Sequence, residues 1–296
     1  MTRATPYTIT RSTTLTDAEL GAVLALRAVC NATEGLDLKL AIPEDGIDEQ
    51  RLRGRSQILA RTEDGGIIGY CSLDFGHETE ICGMVQPTRR RHGIGSALLE
   101  AALDECRLVG VSRVLLICED ASASGQAFVR RHGGQRGFGE YRMERDAPPT
   151  PLAEDWPATD ALTIDRAGPT DVEDIVSVQA RAFHDSVDEV RDVVLAGLAG
   201  AGEHFYIARL GGVPVGSLKV YTPDGRAGIY AFGVAPQYRR RGFGRQILLR
   251  VMAELGGEGH TRIWLEVDQE NAPAYALYRA LAFTVTTAYG YFTLPL

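Results

Sequence analysis

Two short stretches of the chain carry the residue types of an anion-binding turn. Arg90-Arg91-His92-Gly93-Ile94-Gly95 and Arg239-Arg240-Arg241-Gly242-Phe243-Gly244 share the pattern Arg-x-x-Gly-x-Gly, 149 positions apart. Each ends a strand-like stretch and opens a segment with helical periodicity. The start of a helix presents free N–H groups and the positive end of a dipole, so it attracts negative charge. Glycine lets the backbone come close to a bulky phosphate. Residue type excludes two other phosphate loops. A P-loop needs Gly-Lys-Ser/Thr, which neither turn has, and a Rossmann turn needs a third glycine where Leu98 and Ile247 stand.

The offset of 149 persists beyond the turns. Val85 matches Val234, Pro87 matches Pro236, Arg113 matches Arg262, Leu116 matches Leu265 and Gly134 falls at Phe283. A period this long is a duplicated domain rather than a solenoid repeat, so each residue has an internal control. Both copies open on a capping box, Thr16-Asp17-Ala18-Glu19 and Thr170-Asp171-Val172-Glu173, followed by apolar residues at helical spacing. Two strands around a Gly-rich turn follow, at Asp64-Gly65-Gly66 and at Gly211-Gly212. A third strand then runs into the Arg-Gly turn and its helix, and a strand, a helix and a final strand complete each copy. The proline-rich stretch 147–160 reads as a linker. It separates an N-terminal domain at 1–146 from a C-terminal domain at 161–296, each long enough for its own core.

Composition narrows the partners. A net charge of −8 speaks against nucleic acid, despite the arginine runs. No apolar run reaches the length of a bilayer span, so no membrane association is expected. The N-terminal stretch lacks the apolar core of a signal peptide, which makes a cytoplasmic location the expectation. Cys30, Cys71, Cys82, Cys106 and Cys118 are odd in number and scattered, as reduced thiols would be. No His/Cys/Asp cluster has metal-ligand spacing, so no metal is expected.

Val234-Ala235-Pro236-Gln237-Tyr238 and the Arg-Gly turn that follows resemble the acyl-CoA-binding signature of the GNAT superfamily of N-acyltransferases. The resemblance covers nearly all of both halves. It implies an α/β (α+β) protein of two tandem GNAT domains, each a mixed, mostly antiparallel central sheet flanked by helices, with acetyl-CoA (coenzyme A) as cofactor. In that family the turn holds the CoA pyrophosphate, and the preceding strand splays from its neighbour to admit the pantetheine arm. Carried onto this chain, the cofactor contacts are Phe232, Gly233, Val234, Arg239, Arg240, Arg241, Gly242, Phe243, Gly244, Arg245 and Asn271. In the first copy they are Met84, Val85, Arg90, Arg91, His92, Gly93, Ile94, Gly95 and Ser96.

The second copy continues with Leu265-Glu266-Val267, Asn271, Ala274, Leu277, Tyr278 and Phe283, with Ala282 where the family usually has glycine. This is similar to the pattern of the ribosomal-protein N-terminal acetyltransferases and of mycothiol synthase, whose tandem layout the chain also shares. There the tyrosine protonates the departing CoA thiolate, and the glutamate acts as base. Both roles suit amine acylation: an ammonium must lose a proton before it attacks, and a thiolate leaves more easily when protonated. Backbone N–H groups around Phe232 to Val234 would polarise the thioester carbonyl. In the first copy the offset puts Val129, Ile117 and Ser122 at the positions of Tyr278, Glu266 and Asn271. Glu119 and Tyr141 lie nearby but out of step.

The expectation is therefore acetyl transfer in the C-terminal copy, by direct attack of a primary amine of a small metabolite or antibiotic-like natural product. The N-terminal copy is expected to bind CoA or to serve as scaffold. Protein N-terminal or lysine acetylation is the second enzymatic reading, and a non-catalytic acyl-CoA sensor the non-enzymatic one. His184 and Asp185 fall where this family builds its acceptor site. A monomer or homodimer is expected.

Overall fold

The computed structural model describes residues 6–40, 42, 55–75, 78–147, 162–200, 202–222 and 225–296. Beyond Ala147, the expected linker lies outside the described residues. The elements in chain order are β1 (Tyr7–Ser12), α1 (Asp17–Glu34), β2 (Arg55–Thr62), β3 (Ile67–Phe75), β4 (Thr79–Val85), α2 (Ile94–Leu108), β5 (Arg113–Glu119), α3 (Ala123–Arg131) and β6 (Gln135–Asp146). They continue as β7 (Leu162–Arg166), α4 (Val172–Phe183), α5 (Val187–Ala199), β8 (Glu203–Leu210), β9 (Val213–Tyr221), β10 (Arg226–Val234), α6 (Phe243–Gly257), β11 (Arg262–Asp268), α7 (Ala272–Ala280) and β12 (Thr284–Pro295). β1, β7 and α5 were not expected from the sequence.

The chain forms two compact units, Met1–Glu140 with Thr287–Leu296, and Tyr141–Thr286. In the first, β1 to β4 are antiparallel neighbours and β5 is parallel to β4. Residues 287–295 of β12 come next, followed by residues 135–140 of β6. Successive side chains leave opposite faces of a strand. Ile58, Ala60, Cys71, Leu73 and Ile81 therefore pack with Leu98, Leu99 and Ala102 of α2. Leu59, Tyr70, Cys82 and Met84 pack with Val23, Leu26 and Cys30 of α1. Both faces are covered, which is why these strands read as continuous apolar runs rather than alternating ones.

The second unit repeats the plan, with β7 to β11 followed by residues 141–146 of β6 and then 284–286 of β12. Tyr206, Leu218, Val220, Ile229, Ile263 and Leu265 pack against Ile247, Leu248 and Val251 of α6. Phe205 and Ile207 pack against Ile175, Val176 and Val194 from α4 and α5.

β6 and β12 explain why the units differ from the division expected at 1–146 and 161–296. Each is 12 residues long, about twice a usual strand, and each is divided between the units, β6 after Glu140 and β12 after Thr286. The last strand of the chain pairs with β5 from Tyr289↔Glu119 to Pro295↔Arg113, completing the first unit's sheet. In the second unit, Thr284 Oγ1 donates to the Glu144 carbonyl at 3.3 Å, and the Arg262 guanidinium meets the Glu144 carboxylate at 3.2 Å. Tyr141 is thus a residue of the second unit, its ring 5.6 Å from that of Tyr275.

The capping box at Thr16 forms, with reciprocal Thr16 and Glu19 bonds. The one at Thr170 does not: a 3₁₀ turn, Pro169–Asp171, precedes α4, and Asp171 accepts from the Gly168 N–H at 2.8 Å. No helix among the described residues is long and apolar enough to cross a membrane. All five cysteines are buried free thiols. Burial pushes Cys71 and Cys118 up to about 12 and Cys106 to about 11, so these sulfurs stay protonated and inert.

Candidate active site

The two Arg-Gly turns are built alike. Each starts with a 3₁₀ turn, Pro87–Arg89 or Pro236–Tyr238. Arg91 and Arg240 take φ of 66° and 61°, and Gly93 and Gly242 take 82° and 81°. Left-handed backbone at a non-glycine residue costs energy, so its repetition marks a shape that both turns must hold. The amides after it open α2 and α6, whose first-turn N–H groups have no intrahelical acceptor, and this suits a pyrophosphate.

The first arginine of the motif has a structural cause. Arg90 Nε donates to the Val85 carbonyl at 3.1 Å, and Arg239 Nε to the Val234 carbonyl at 2.9 Å. Arg90 also pairs with Glu34 at 2.7 Å, and Arg239 donates to the Ala182 carbonyl at 2.9 Å. Both side chains fasten the turn to the strand and first helix, leaving the turn backbone for the anion. Arg241 lies over the Phe243 ring at 4.9 Å, while Arg240 and Arg241 are exposed. His92 Nδ1 is 2.8 Å from the Arg90 carbonyl, and Ser96 Oγ is 3.0 Å from His132 Nε2. A Cβ on Gly244 would sit 3.4 Å from Leu277 and 3.5 Å from Phe232. One on Gly95 would sit 3.1 Å from Phe128. These two glycines therefore admit neighbouring side chains as well as a ligand.

A gap opens above each turn. The parallel ladder between β10 and β11 ends at Ile229↔Leu265, although β10 runs on to Val234. The ladder between β4 and β5 ends at the equivalent pair, Ile81↔Leu116, although β4 runs on to Val85. Past those points neither strand is paired with its parallel neighbour. This is the opening that the resemblance assigns to a pantetheine arm.

The copies differ at that opening. Between Tyr230↔Lys219 and Gly233↔Ser217, three steps along β10 oppose two along β9. This is a β-bulge, and Ala231 within it has φ of 46°. The β3–β4 ladder runs from Gly69↔Val85 to Phe75↔Thr79 without a shift. Ile229 thus matches Ile81 at an offset of 148, whereas Gly233 matches Met84 at 149. The extra residue takes Ala231 and Phe232 out of the ladder with β9, next to the gap.

Tyr278 lies on α7, buried in one apolar cluster with Leu265, Val267 and Phe283, against which Phe232 and Val234 also pack. Burial raises its phenol well above the ordinary tyrosine value, so it is protonated at neutral pH. Glu266 is half-buried and, by alternation with Leu265 and Val267, emerges on the opposite face of β11. Tyr278 and Glu266 thus flank the gap from opposite sides of the sheet. The Asn271 side chain caps α7, accepting from the Ala274 N–H at 3.2 Å. Ser122 does the same for α3, accepting from the Gly125 N–H at 3.1 Å. Cap chemistry therefore accounts for the carbonyl end of Asn271, and its amide nitrogen remains for other contacts.

On the Glu266 face, Tyr230 meets the edge of Trp264 with ring centres 5.0 Å apart. The Arg142 guanidinium lies 4.2 Å over Trp264, and a buried Lys219–Glu203 pair closes at 3.1 Å. None of these was singled out from the sequence. The signal was available: in Ile229-Tyr230 and Trp264-Leu265-Glu266, polar and aromatic residues alternate with core ones. His184 caps α4 in a left-handed conformation and Asp185 is exposed beside it.

In the first copy Val129 is buried where Tyr278 stands, and Ile117 replaces Glu266. Glu119 does not stand in as base: it accepts the Asp37 N–H at 2.8 Å, and burial raises its carboxyl. The opening persists as a cavity of about 380 Å³ running from Arg90, Gly93 and Ser96 at the turn to Ile81 and Leu116 where the ladder ends.

Comparison with known proteins agrees with this duplicated plan. The model of the Acetyltransferase (GNAT) family matches residues 30–133 and again 172–283. The chain belongs to the GNAT family of acetyltransferases, with two GNAT domains, and its acyl donor is acetyl-CoA. It is 31% identical to a mycothiol acetyltransferase of Thermomonospora curvata, covering 91% of this chain and 92% of that one. A second relative of that description, from Segniliparus rotundus, is 29% identical over 82% of this chain and 96% of its own. Among solved structures, a tandem GNAT protein from the clavulanic acid biosynthesis pathway superposes with a TM-score of 0.77 at 18% identity, covering 98% of both chains. Its similarity is one of fold.

Proposed function

We propose that the second copy transfers an acetyl group from acetyl-CoA to the primary amine of a small metabolite, by direct attack. One observation carries this reading: Tyr278, Phe232 and Val234 share a cluster at a gap where a bulge takes two residues of β10 out of its ladder. Acetyl-CoA supplies the acetyl group as a thioester. The α6 turn holds its pyrophosphate through Arg240 to Arg245. Backbone N–H groups at the bulge residues Ala231 and Phe232 polarise the carbonyl as it gains negative charge. Glu266 takes a proton from the amine, and the Tyr278 hydroxyl gives one to the departing sulfur. Tyr230, Trp264 and Arg142 shape the side from which the amine enters.

The first copy, on this reading, binds an acyl-CoA at its own turn without turning it over, since its acid and base positions hold Val129 and Ile117. Relatives described as mycothiol acetyltransferases make mycothiol-type amines the first acceptors to try. Release of free coenzyme A is followed over a panel of small amines, amine-bearing antibiotics and peptides with free N-termini or lysines. Turnover confined to small amines is expected. Turnover confined to peptides, or binding of acetyl-CoA without any turnover, overturns the reading.

A further inference from the structure

Three wall positions at the opening differ in the same sense between the copies. Ile117 stands where the second copy has Glu266, Met84 where it has Gly233, and Tyr70 where it has Ser217. All three first-copy residues are apolar or aromatic and pack in the layer under α1. The second copy is small or polar at each. In the second copy Ala182 and Phe183 of α4 fill the space beside Gly233 and Ser217 is buried, so Glu266 is the polar group that this wall offers to an amine, whereas the apolar wall of the first copy offers none.

That wall is also covered. The segment after α1 crosses it, with Leu38 in the same apolar layer and Leu36 lining the cavity. Polar bonds fasten the segment at both edges. The Asp37 N–H donates to Glu119, the Tyr289 hydroxyl donates to the Asp37 carbonyl at 2.8 Å, and Lys39 Nζ donates to the Tyr291 hydroxyl at 2.7 Å. The cavity passes through the gap from the α2 side, where Cys71, Leu98 and Val129 line it, to this covered side. The 36–40 segment thus covers the side from which an acceptor would come, and that side is apolar where an acyl group would emerge.

We infer that the first copy is a binding site for an acyl-CoA whose acyl group is a hydrocarbon chain longer than acetyl, of butyryl to hexanoyl size. The chain lies against Leu36, Leu38, Tyr70, Met84 and Ile117, beneath the 36–40 segment. This rests on the reading that the first copy holds CoA at the Arg90–Ser96 turn. Each methylene moved from water into an apolar wall strengthens binding by roughly fourfold. The short acetyl group does not reach that wall to the same extent.

The test is calorimetric titration of the full chain with coenzyme A, acetyl-CoA, butyryl-CoA and hexanoyl-CoA. Two variants assign the sites. Ser96→Glu puts a carboxylate at the exposed first turn of α2, which the helix tolerates but a pyrophosphate does not. Arg245→Glu puts a carboxylate at the equivalent, half-buried position of α6. The expected result is that Arg245→Glu retains one site that binds hexanoyl-CoA at least about tenfold more tightly than acetyl-CoA. Ser96→Glu should lose that site. Equal affinities for acetyl- and hexanoyl-CoA in Arg245→Glu, with binding still lost in Ser96→Glu, overturn the chain-length inference and leave CoA binding by the first copy intact. Absence of any CoA ligand in Arg245→Glu overturns both.

Discussion

The two copies share their turn geometry to within a few degrees and diverge at the opening above it. Arg91 and Arg240, Gly93 and Gly242, and the strand-fastening arginines Arg90 and Arg239 superimpose in role. The divergence comes at the bulge around Ala231, at Tyr278 against Val129, and at Glu266 against Ile117. What persists is the turn proposed to grip an anion, and what differs is the set of residues proposed to move protons and polarise a carbonyl. On that proposal a duplicated domain keeps a ligand while losing a reaction, because binding and chemistry draw on separate residues.

The largest way to break this comparison is at Tyr278. Tyr278→Phe should lower kcat by roughly 10²–10⁴-fold and leave acetyl-CoA affinity nearly unchanged, since general acid catalysis is worth about that much. Steady-state kinetics alongside a titration would show it. Wild-type turnover in the variant would make Tyr278 a packing residue like Val129.

Strand exchange can be broken next. Tyr291 is buried in the first unit, stacked on Phe138 with ring centres 4.3 Å apart. Tyr291→Ala should cost about 3–5 kcal/mol, as removal of a buried aromatic does. Hydrogen exchange should quicken in β5 of the first unit while α6 of the second stays protected. Faster exchange in α6 alone would mean that the last strand belongs with the second unit.

The pH profile sharpens the proton roles. Burial raises the Tyr278 phenol, so its acid form persists to higher pH than usual and the basic limb of kcat should not appear below about pH 10. If Glu266 is the base, Glu266→Gln should remove or displace the acidic limb of kcat/KM. A basic limb near neutrality, or an unchanged acidic limb, would assign these roles elsewhere.

The smallest effects concern the caps. Ser122→Ala and Asn271→Ala should each cost about 1 kcal/mol in denaturant melts. Asn271→Ser should restore stability, because serine already serves as the cap in the first copy. It should still raise the KM for acetyl-CoA by roughly 2–10-fold, the worth of one hydrogen bond from the lost amide nitrogen. An unchanged KM would reduce Asn271 to a cap.

Much of this was legible in the chain. The repetition of Arg-x-x-Gly-x-Gly and the lone Glu266/Tyr278 pair pointed to the family and to the copy proposed to be active. The bulge was not legible, because one added residue before Gly233 leaves the apolar pattern of GIYAFGVA intact and shows only in the register with β9. The exchange of β6 and β12 was hidden for a similar reason. Local periodicity says that Tyr289 to Leu294 form a strand, but not that β5, some 170 residues earlier, is the partner. Glu119 looked like a misplaced base, and only the Asp37 N–H explains why a carboxylate is buried there.

The central claim, that both copies grip a CoA and one copy acts on it, is tested most directly by turnover of Ser96→Glu beside Arg245→Glu. Ser96 is exposed, whereas bulk at its neighbour Gly95 would strike Phe128. The account predicts that Arg245→Glu loses at least about 100-fold in kcat/KM for acetyl-CoA, as expected when a charge-assisted contact becomes a repulsion. Ser96→Glu should keep turnover within about threefold of wild type. Loss of turnover in a folded Ser96→Glu protein, with Arg245→Glu still active, would contradict it.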